Sequence, residues 1–342
     1  MASRKILVTG GVGYIGIHTV VELVLAGFEP ILVDDLSRSN ISLLKGAEKI
    51  LNRELIFYKI NCVDPSAVTG VFKEHSDISG VIHFAAFKSV NESVREPLLY
   101  YHNNILSLIS AVQVAREFAV KDFIFSSSCT VYGQPDQIPV TEETPLKKAE
   151  SPYGATKQMC EEILLDLTKA DPSVRAISLR YFNPIGAHPS GLIGELPLGI
   201  PGNLVPFITQ TAIGKREKLT VFGDNYNTPD GSCLRDFIHV VDLAKAHIKA
   251  LQRIQFMPER FEPINIGTGK PVSVLELIKS FIRVNSVALR YEIGPRRAGD
   301  VEKVYADTAK SGKLLEWQAA LSVDDSLRDA WNWEQKLKYE AD

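Results

Sequence analysis

The chain lacks the features that would mark a membrane-spanning, disulfide-framed or nucleic-acid-binding protein. No stretch approaches the roughly 18 uninterrupted apolar residues that a membrane helix needs. The first apolar run, Lys5-Ile6-Leu7-Val8, is too short to predict a signal peptide. Cysteine is scarce: Cys62, Cys129, Cys160 and Cys233 are scattered without any C-x-x-C spacing. That argues against a zinc site and for reduced thiols in a cytoplasmic setting. A formal net charge of -3 supplies no basic field for nucleic acid. Repeats, low-complexity tracts and long linkers are absent too. What remains is 45% hydrophobic and 23% charged residues, the balance of an ordinary soluble globular protein. At 342 residues the chain is long enough to bury a sizeable core in two lobes.

Lys5 to Thr9 reads as a short buried strand running into Gly10-Gly11-Val12-Gly13-Tyr14-Ile15-Gly16. A helical run from His18 to Leu25 follows, stopped by Gly27. A second apolar strand, Pro30 to Val33, ends in Asp34-Asp35. Strand, glycine turn, helix, strand and acid form the setting that a dinucleotide fingerprint requires. Glycines permit the tight turn and let backbone N–H groups approach a pyrophosphate at the helix N-terminus. The glycines fit two registers, Gly11-Gly13-Gly16 and Gly10-Gly13-Gly16. Asp34 can accept a ribose 2′-hydroxyl and would repel a 2′-phosphate, so the predicted cofactor is NAD.

Further strands follow at the rhythm of alternating β and α units: Leu55 to Ile60, Gly80 to Phe84, Asp122 to Phe125 and Ala176 to Leu179. A helical stripe spans Asn103 to Phe118. This predicts an α/β fold with a doubly wound parallel sheet, whose ligands sit beyond the carboxyl ends of the strands. Ser128 lies on that edge and can hydrogen-bond a substrate hydroxyl. His83, inside a strand, reads as a satisfied core residue. Beyond Ser151-Pro152, Tyr153 and Lys157 stand four apart at the head of a run that reads as helix through Leu167. They therefore share one face and meet one ligand. At about 4 Å and an effective dielectric near 20, an ammonium stabilises a phenolate by roughly 4 kcal/mol. That would bring the phenol from about 10 to near neutrality, where a general base works best.

These residues resemble the extended short-chain dehydrogenase/reductase family, and within it the nucleotide-sugar epimerases. The resemblance covers nearly the whole chain. It runs through TGGVGYIG from Thr9, HFAAFKSVNESV from His83, FSSSCTVYG from Phe125 and SPYGATK from Ser151. It continues in RYFNPIGAHPSG from Arg180, GIPGNLVP from Gly199, DGSCLRDFIHVVDLA from Asp230 and RRAGDV from Arg296. It implies reversible inversion at C4 of UDP-glucose and UDP-galactose, in galactose metabolism, through a 4-keto sugar with hydride passed to and from NAD. Ser128, Tyr153 and Lys157 would be the catalytic trio, with Tyr153 as base. Cofactor contacts would come from Gly10, Gly13, Tyr14, Ile15, Asp34, Phe84, Lys88, Tyr153 and Lys157. The nucleotide-sugar would meet Lys88, Asn103, Ser128, Tyr153, Asn183, Asn203, Leu204, Phe222, Arg235, Arg297 and Val304. Two arginines can clamp a diphosphate, and Phe222 can stack on a uracil. Taken singly, Arg235-Asp236 also reads as an internal ion pair and Phe222 as core.

Some positions depart from the family pattern. Asn61-Cys62 stands where Asp is common near the adenine, Ala86-Phe87 replaces Gly-Leu before Lys88, Cys129 replaces Ala, and Cys233 replaces a small residue. A 4,6-dehydratase would carry an Asp-Glu pair after Ser128, where this chain has Cys129-Thr130. A decarboxylase would need a further site for a C6 carboxylate, and a non-catalytic NAD-binding regulator need not keep the Tyr-Lys pair. The resemblance also places Val304 against the sugar. A valine there implies some activity on UDP-GlcNAc and UDP-GalNAc, whereas a register slip of one would put Tyr305 there and reverse that expectation. The implied domains are a Rossmann lobe, 1–182 and 236–267, and a smaller α/β substrate lobe, 183–235 and 268–342. A homodimer is implied through the helices at Asn103 to Phe118 and Pro152 to Ala170. No metal is implied.

Overall fold

Strand β1 (Lys5–Thr9) is apolar from Ile6 to Val8 and buried on both faces, as the centre of a parallel sheet demands. In this computed structural model, which describes residues 3–297 and 301–339, it is flanked by β2 (Glu29–Asp34) and β4 (Ile78–His83), both parallel to it. With β3 (Ile56–Lys59), β5 (Asp122–Ser128), β6 (Arg175–Tyr181) and β10 (Phe261–Ile266), the strands run in the order β3-β2-β1-β4-β5-β6-β10. The order reverses between β1 and β4, so a crevice opens there at the carboxyl ends.

Helices cover both faces. On one side α1 (Tyr14–Leu25), α2 (Ile41–Leu51) and α8 (Val240–Arg253) bury Val20, Leu23, Leu44, Leu243 and Leu251 against the sheet. On the other, α3 (Pro65–Glu74), α5 (Pro97–Glu117) and α6 (Pro152–Ala170) bury Val71, Leu108, Val112 and Leu164. The short α4 (Val90–Arg95) precedes α5. Local chemistry sets the helix starts: Pro152 occupies the first turn of α6 and the Ser151 hydroxyl accepts from Gly154 N. Helix α5 begins six residues before the predicted Asn103. Pro97 starts it, while exposed Leu98 and Leu99 hide the stripe in its first turns.

A second layer is built from β7 (Asn183–Ile185), β9 (Leu234–His239), β11 (Pro271–Ser273) and β13 (Lys303–Val304), with β9 at its centre. Nearby, β8 (Leu219–Phe222) pairs in parallel with β12 (Tyr291–Gly294). Helices α7 (Leu204–Ala212), α9 (Val274–Asn285) and α11 (Val323–Tyr339) close a separate core around Phe237, Phe281 and Leu327. Helix α10 (Ala309–Leu315) packs beside α8 and β10. Strand β9 belongs to the second sheet, and the chain returns to the large sheet's layer at α8, because β9 finds its partners in β7, β11 and β13. Ala298, Gly299 and Asp300, within the RRAGDV match, lie outside the described residues, as does the lobe's end beyond residue 339.

Candidate active site

The glycine turn leaves no room for side chains. Gly10 has φ of +65°, and a Cβ there would stand 2.8 Å from Ala85 N. A Cβ on Gly16 would stand 2.2 Å from Gly10 O, and one on Gly11 2.9 Å from Val8 O. Both predicted registers therefore point at real constraints, with Gly10, Gly13 and Gly16 forming the turn itself. Helix α1 starts from Gly13 with no capping side chain and no acid in its first turn. The N–H groups of Tyr14 and Ile15 are thus left for an anion, as a pyrophosphate requires. Asp34 Oδ2 accepts from Val12 N at 3.1 Å, and Oδ1 from Leu36 N at 2.9 Å and Ser39 Oγ at 2.8 Å. A carboxylate offers about four lone-pair positions, so one remains for a ribose hydroxyl. Burial pushes the Asp34 carboxyl up, against these hydrogen bonds. The turn, the bare helix end and Asp34 fit NAD. Burial first, then the charges of Asp34 and Asp35, raise the Cys62 thiol to about 12. Phe84 closes the crevice from β4, its N–H donating to Thr9 O at 2.9 Å and its ring 4.7 Å from that of His247.

Ser128, Tyr153 and Lys157 converge at the carboxyl end of β5, all three buried. Lys157 Nζ donates to the Ser126 carbonyl at 2.6 Å and lies 4.8 Å from the Phe125 ring centroid and 5.9 Å from that of Tyr153. Burial lowers the Lys157 ammonium to about 8. The expected acidification of Tyr153 is not found. Burial, then the neighbouring Tyr181, pushes the phenol well above its ordinary value, while a hydrogen bond with Ser128 pulls the other way. The reason is geometric: Lys157 spends its closest contact on a backbone carbonyl, and the phenol is buried beside Tyr181, Cys129 and Tyr100. His83, as predicted, is a core residue, paired with Thr9 Oγ1 at 2.8 Å and stacked on Phe125.

The residues expected around the nucleotide-sugar are spread over several elements. Asn203 precedes α7, which begins at Leu204 without a capping side chain, because the Asn203 amide instead donates to Glu195 Oε1 at 2.6 Å. Lys88 Nζ reaches the same oxygen at 2.8 Å and lies 5.7 Å from the Tyr14 ring centroid. Phe222 is 43% exposed, which removes its reading as core, and the Arg297 guanidinium lies 5.6 Å from its ring centroid. Arg235 stands opposite Val304 in the β9–β13 pair, and its charge reaches Cys129. The Asp236 carboxylate is taken by Thr268, by Gly269 N and by Ala306 N, so Arg235-Asp236 does not act as an internal pair. Val304 packs with Cys129, Val131 and Phe182, while Tyr305 follows the end of β13 and its carbonyl accepts from Val140 N at 3.0 Å. Asn183 begins β7 opposite Phe237, and Asn103 donates to Asn104 Oδ1 at 3.1 Å. Phe87 packs edge-on to Tyr100, 5.8 Å between centroids, and Cys233 is buried at the base of β9.

Sequence reasoning missed Glu195, which joins Lys88 to Asn203, and Glu161, which lies behind Lys157. Glu161 was signalled only by its spacing four after Lys157. Glu195 had no local signal, since its partners come from two other segments. Among the described residues no helix is long and apolar enough to cross a membrane, and no cluster of His, Cys, Asp and Glu could hold a metal.

Known proteins share this arrangement. The profile of the "NAD dependent epimerase/dehydratase family" matches residues 6–267. A Dictyostelium discoideum protein named "UDP-glucose 4-epimerase" is 48% identical over 330 residues, covering 96% of this chain and 95% of its own. The crystal structure of a UDP-glucose 4-epimerase from Bifidobacterium longum, in complex with NAD+ and UDP, superposes with a TM-score of 0.93 at 44% identity, covering 97% of this chain and 98% of that one. One from Stenotrophomonas maltophila, with bound NAD and formylated UDP-arabinopyranose, gives 0.95 at 41% identity, covering 98% and 99%. With a dinucleotide cradle, a buried Tyr-Lys pair and likeness extending over almost every residue, the chain belongs to the NAD dependent epimerase/dehydratase family.

Proposed function

We propose that the protein interconverts UDP-glucose and UDP-galactose by inverting C4 of the hexose, with NAD as cofactor, and so serves galactose metabolism. The observation that carries the reading is the convergence of Ser128, Tyr153 and Lys157 beside the glycine turn. Gly10, Gly13, Tyr14, Ile15, Asp34, Phe84 and Lys88 would hold NAD. Bound NAD supplies a reversible acceptor for the hydride on C4. Tyr153 takes the proton of the C4 hydroxyl and, once the sugar has turned its other face, returns a proton to the oxygen on C4. Ser128 orients that hydroxyl. Lys157 holds its positive charge beside the phenol, whose ionised form is disfavoured in so buried a place. Asn183, Asn203, the N-terminus of α7 at Leu204, Phe222, Arg235 and Arg297 hold the nucleotide while the loosely held 4-keto hexose turns. Cys129-Thr130 offers no acid-base pair for loss of water, which disfavours the dehydratase reading.

Valine at position 304 is smaller than a tyrosine, which supports weaker activity on UDP-GlcNAc and UDP-GalNAc. Leu98, Leu106, Ile109 and Met159 are exposed on α5 and α6. That supports a homodimer formed through these helices. Four free cysteines support a cytoplasmic setting. The two lobes are 1–182 with 236–267 and 183–235 with 268–342, and α8, packed on the large sheet, supports the chain's return to the cofactor lobe. The test is conversion of UDP-galactose to UDP-glucose, read by a coupled dehydrogenase, with no NAD added to the purified protein and again with NAD added. Turnover in either supports the reading; none in both refutes it.

A further inference from the structure

A buried charge cluster adjoins the site and is not used by the proton path above. Glu161 lies one helical turn beyond Lys157 on the same face of α6 and is 3% exposed. Its Oε1 accepts from Ser127 Oγ and from Ser178 Oγ, each at 2.6 Å. Arg180 Nε lies 3.0 and 3.1 Å from its two oxygens, and Arg180 Nη2 lies 2.6 Å from Oε2. Arg180 also donates to Tyr132 Oη at 3.1 Å. A buried ion pair is rarely the most stabilising way to fill a core, so its place here calls for a use. Ser127 supplies one. It stands between Ser126, whose carbonyl receives Lys157, and Ser128, which hydrogen-bonds Tyr153. One carboxylate therefore grips the strand end that carries both partners of the Tyr-Lys pair.

We propose that Glu161 is a positioning residue for this reaction: locked by Arg180, its carboxylate holds Ser126 to Ser128 in register with Lys157 and Tyr153, and sets a negative charge behind the ammonium. The inference rests on the epimerase reading. The other groups facing the pair are few. Cys160 lies on α6 itself, with His83 on β4, Cys129 just after β5, Tyr181 on β6, whose hydroxyl bonds Ser126, and Tyr100 on α5. None of them offers a second buried carboxylate. Glu161 does raise the Lys157 ammonium, against the larger effect of burial.

The test is the pH profile of UDP-galactose turnover by the NAD-loaded enzyme, for the wild type, Glu161→Gln and Glu161→Asp. Glu161→Gln should lower kcat on the order of 10- to 100-fold, with KM for UDP-galactose within about twofold, since Glu161 does not face the nucleotide. Its basic limb should move to lower pH by roughly one unit, because one charge behind the ammonium is gone. Glu161→Asp keeps the charge and should keep the limb while kcat falls. If Glu161→Gln does not fold, Glu161→Gln/Arg180→Met removes the pair without stranding a buried charge, and its kcat should fall with KM held, because the grip on Ser127 is lost. A limb that stays in place in Glu161→Gln overturns the proposal, as does an unchanged kcat in whichever variant folds. Failure of the wild type to turn over UDP-galactose would instead overturn the reading beneath it.

Discussion

Replacing Gly16 by alanine should remove cofactor binding and leave the fold standing. The added methyl would lie 2.2 Å from the Gly10 carbonyl oxygen and 3.1 Å from Gly11 Cα. The first distance is more than 1 Å inside the ~3.5 Å at which non-bonded heavy atoms rest. Backbone cannot rotate away as a flexible side chain can, so α1 must back off from the turn. That withdraws the N–H groups of Tyr14 and Ile15 from the place a pyrophosphate would occupy. Losing two charge-assisted hydrogen bonds of about 1.5 kcal/mol each costs about 3 kcal/mol, or roughly 100-fold in NAD affinity. Gly70→Ala is the control: it lies within α3, and an added Cβ meets nothing within 4 Å. That change should leave NAD affinity alone and stabilise the protein by about 0.5–1 kcal/mol. Isothermal titration of NAD into cofactor-stripped protein reads the affinity, and circular dichroism melts read the fold. An affinity for Gly16→Ala within threefold of wild type, in folded protein, would refute the assignment of this turn.

Three further outcomes are expected. Tyr153→Phe should cut kcat on the order of 10²- to 10⁴-fold while UDP binding by titration is unchanged; full turnover would remove Tyr153 as the base. Val304→Tyr should abolish turnover of UDP-GlcNAc and spare UDP-galactose; equal loss of both would mean that residue 304 does not discriminate the sugars. The third concerns acid. Burial lowers His18 and His83 to about 3 and His247 to about 4, so these side chains stay neutral in the folded chain while the unfolded chain takes up protons below about 6.5. The unfolded state then binds more protons, and stability falls as pH falls, by about 2 kcal/mol per histidine at pH 5. Urea midpoints should therefore drop from pH 7 to pH 5; a flat profile would contradict buried neutral histidines.

Much of this protein was legible because its chemistry is local in the chain. The glycine turn, the helix after it and Asp34 lie within one βαβ unit, where spacing alone sets who meets whom. Tyr153 and Lys157 share a helix face by arithmetic. The alternation of strands and helices likewise announced a parallel sheet. Helix α5 was read short because its opening turns expose leucines to solvent, and no stripe marks a helix that is apolar on its outer side.

What depends on distant segments could only be decided by the tertiary structure. Strand β9 reads like any returning strand, yet it pairs with β7, β11 and β13, because hydrogen-bonding edges are chosen in space. The phenol of Tyr153 was expected near neutrality from one neighbour. Its burial among Tyr181, Cys129 and Tyr100 reverses the direction, since desolvation is a property of the whole pocket. Glu195 meets Lys88 and Asn203 across more than a hundred residues in one direction and eight in the other. The composition of the chain and the spacing of its motifs settle which reacting groups are present, while folding settles which of them lose water, and desolvation governs their charge.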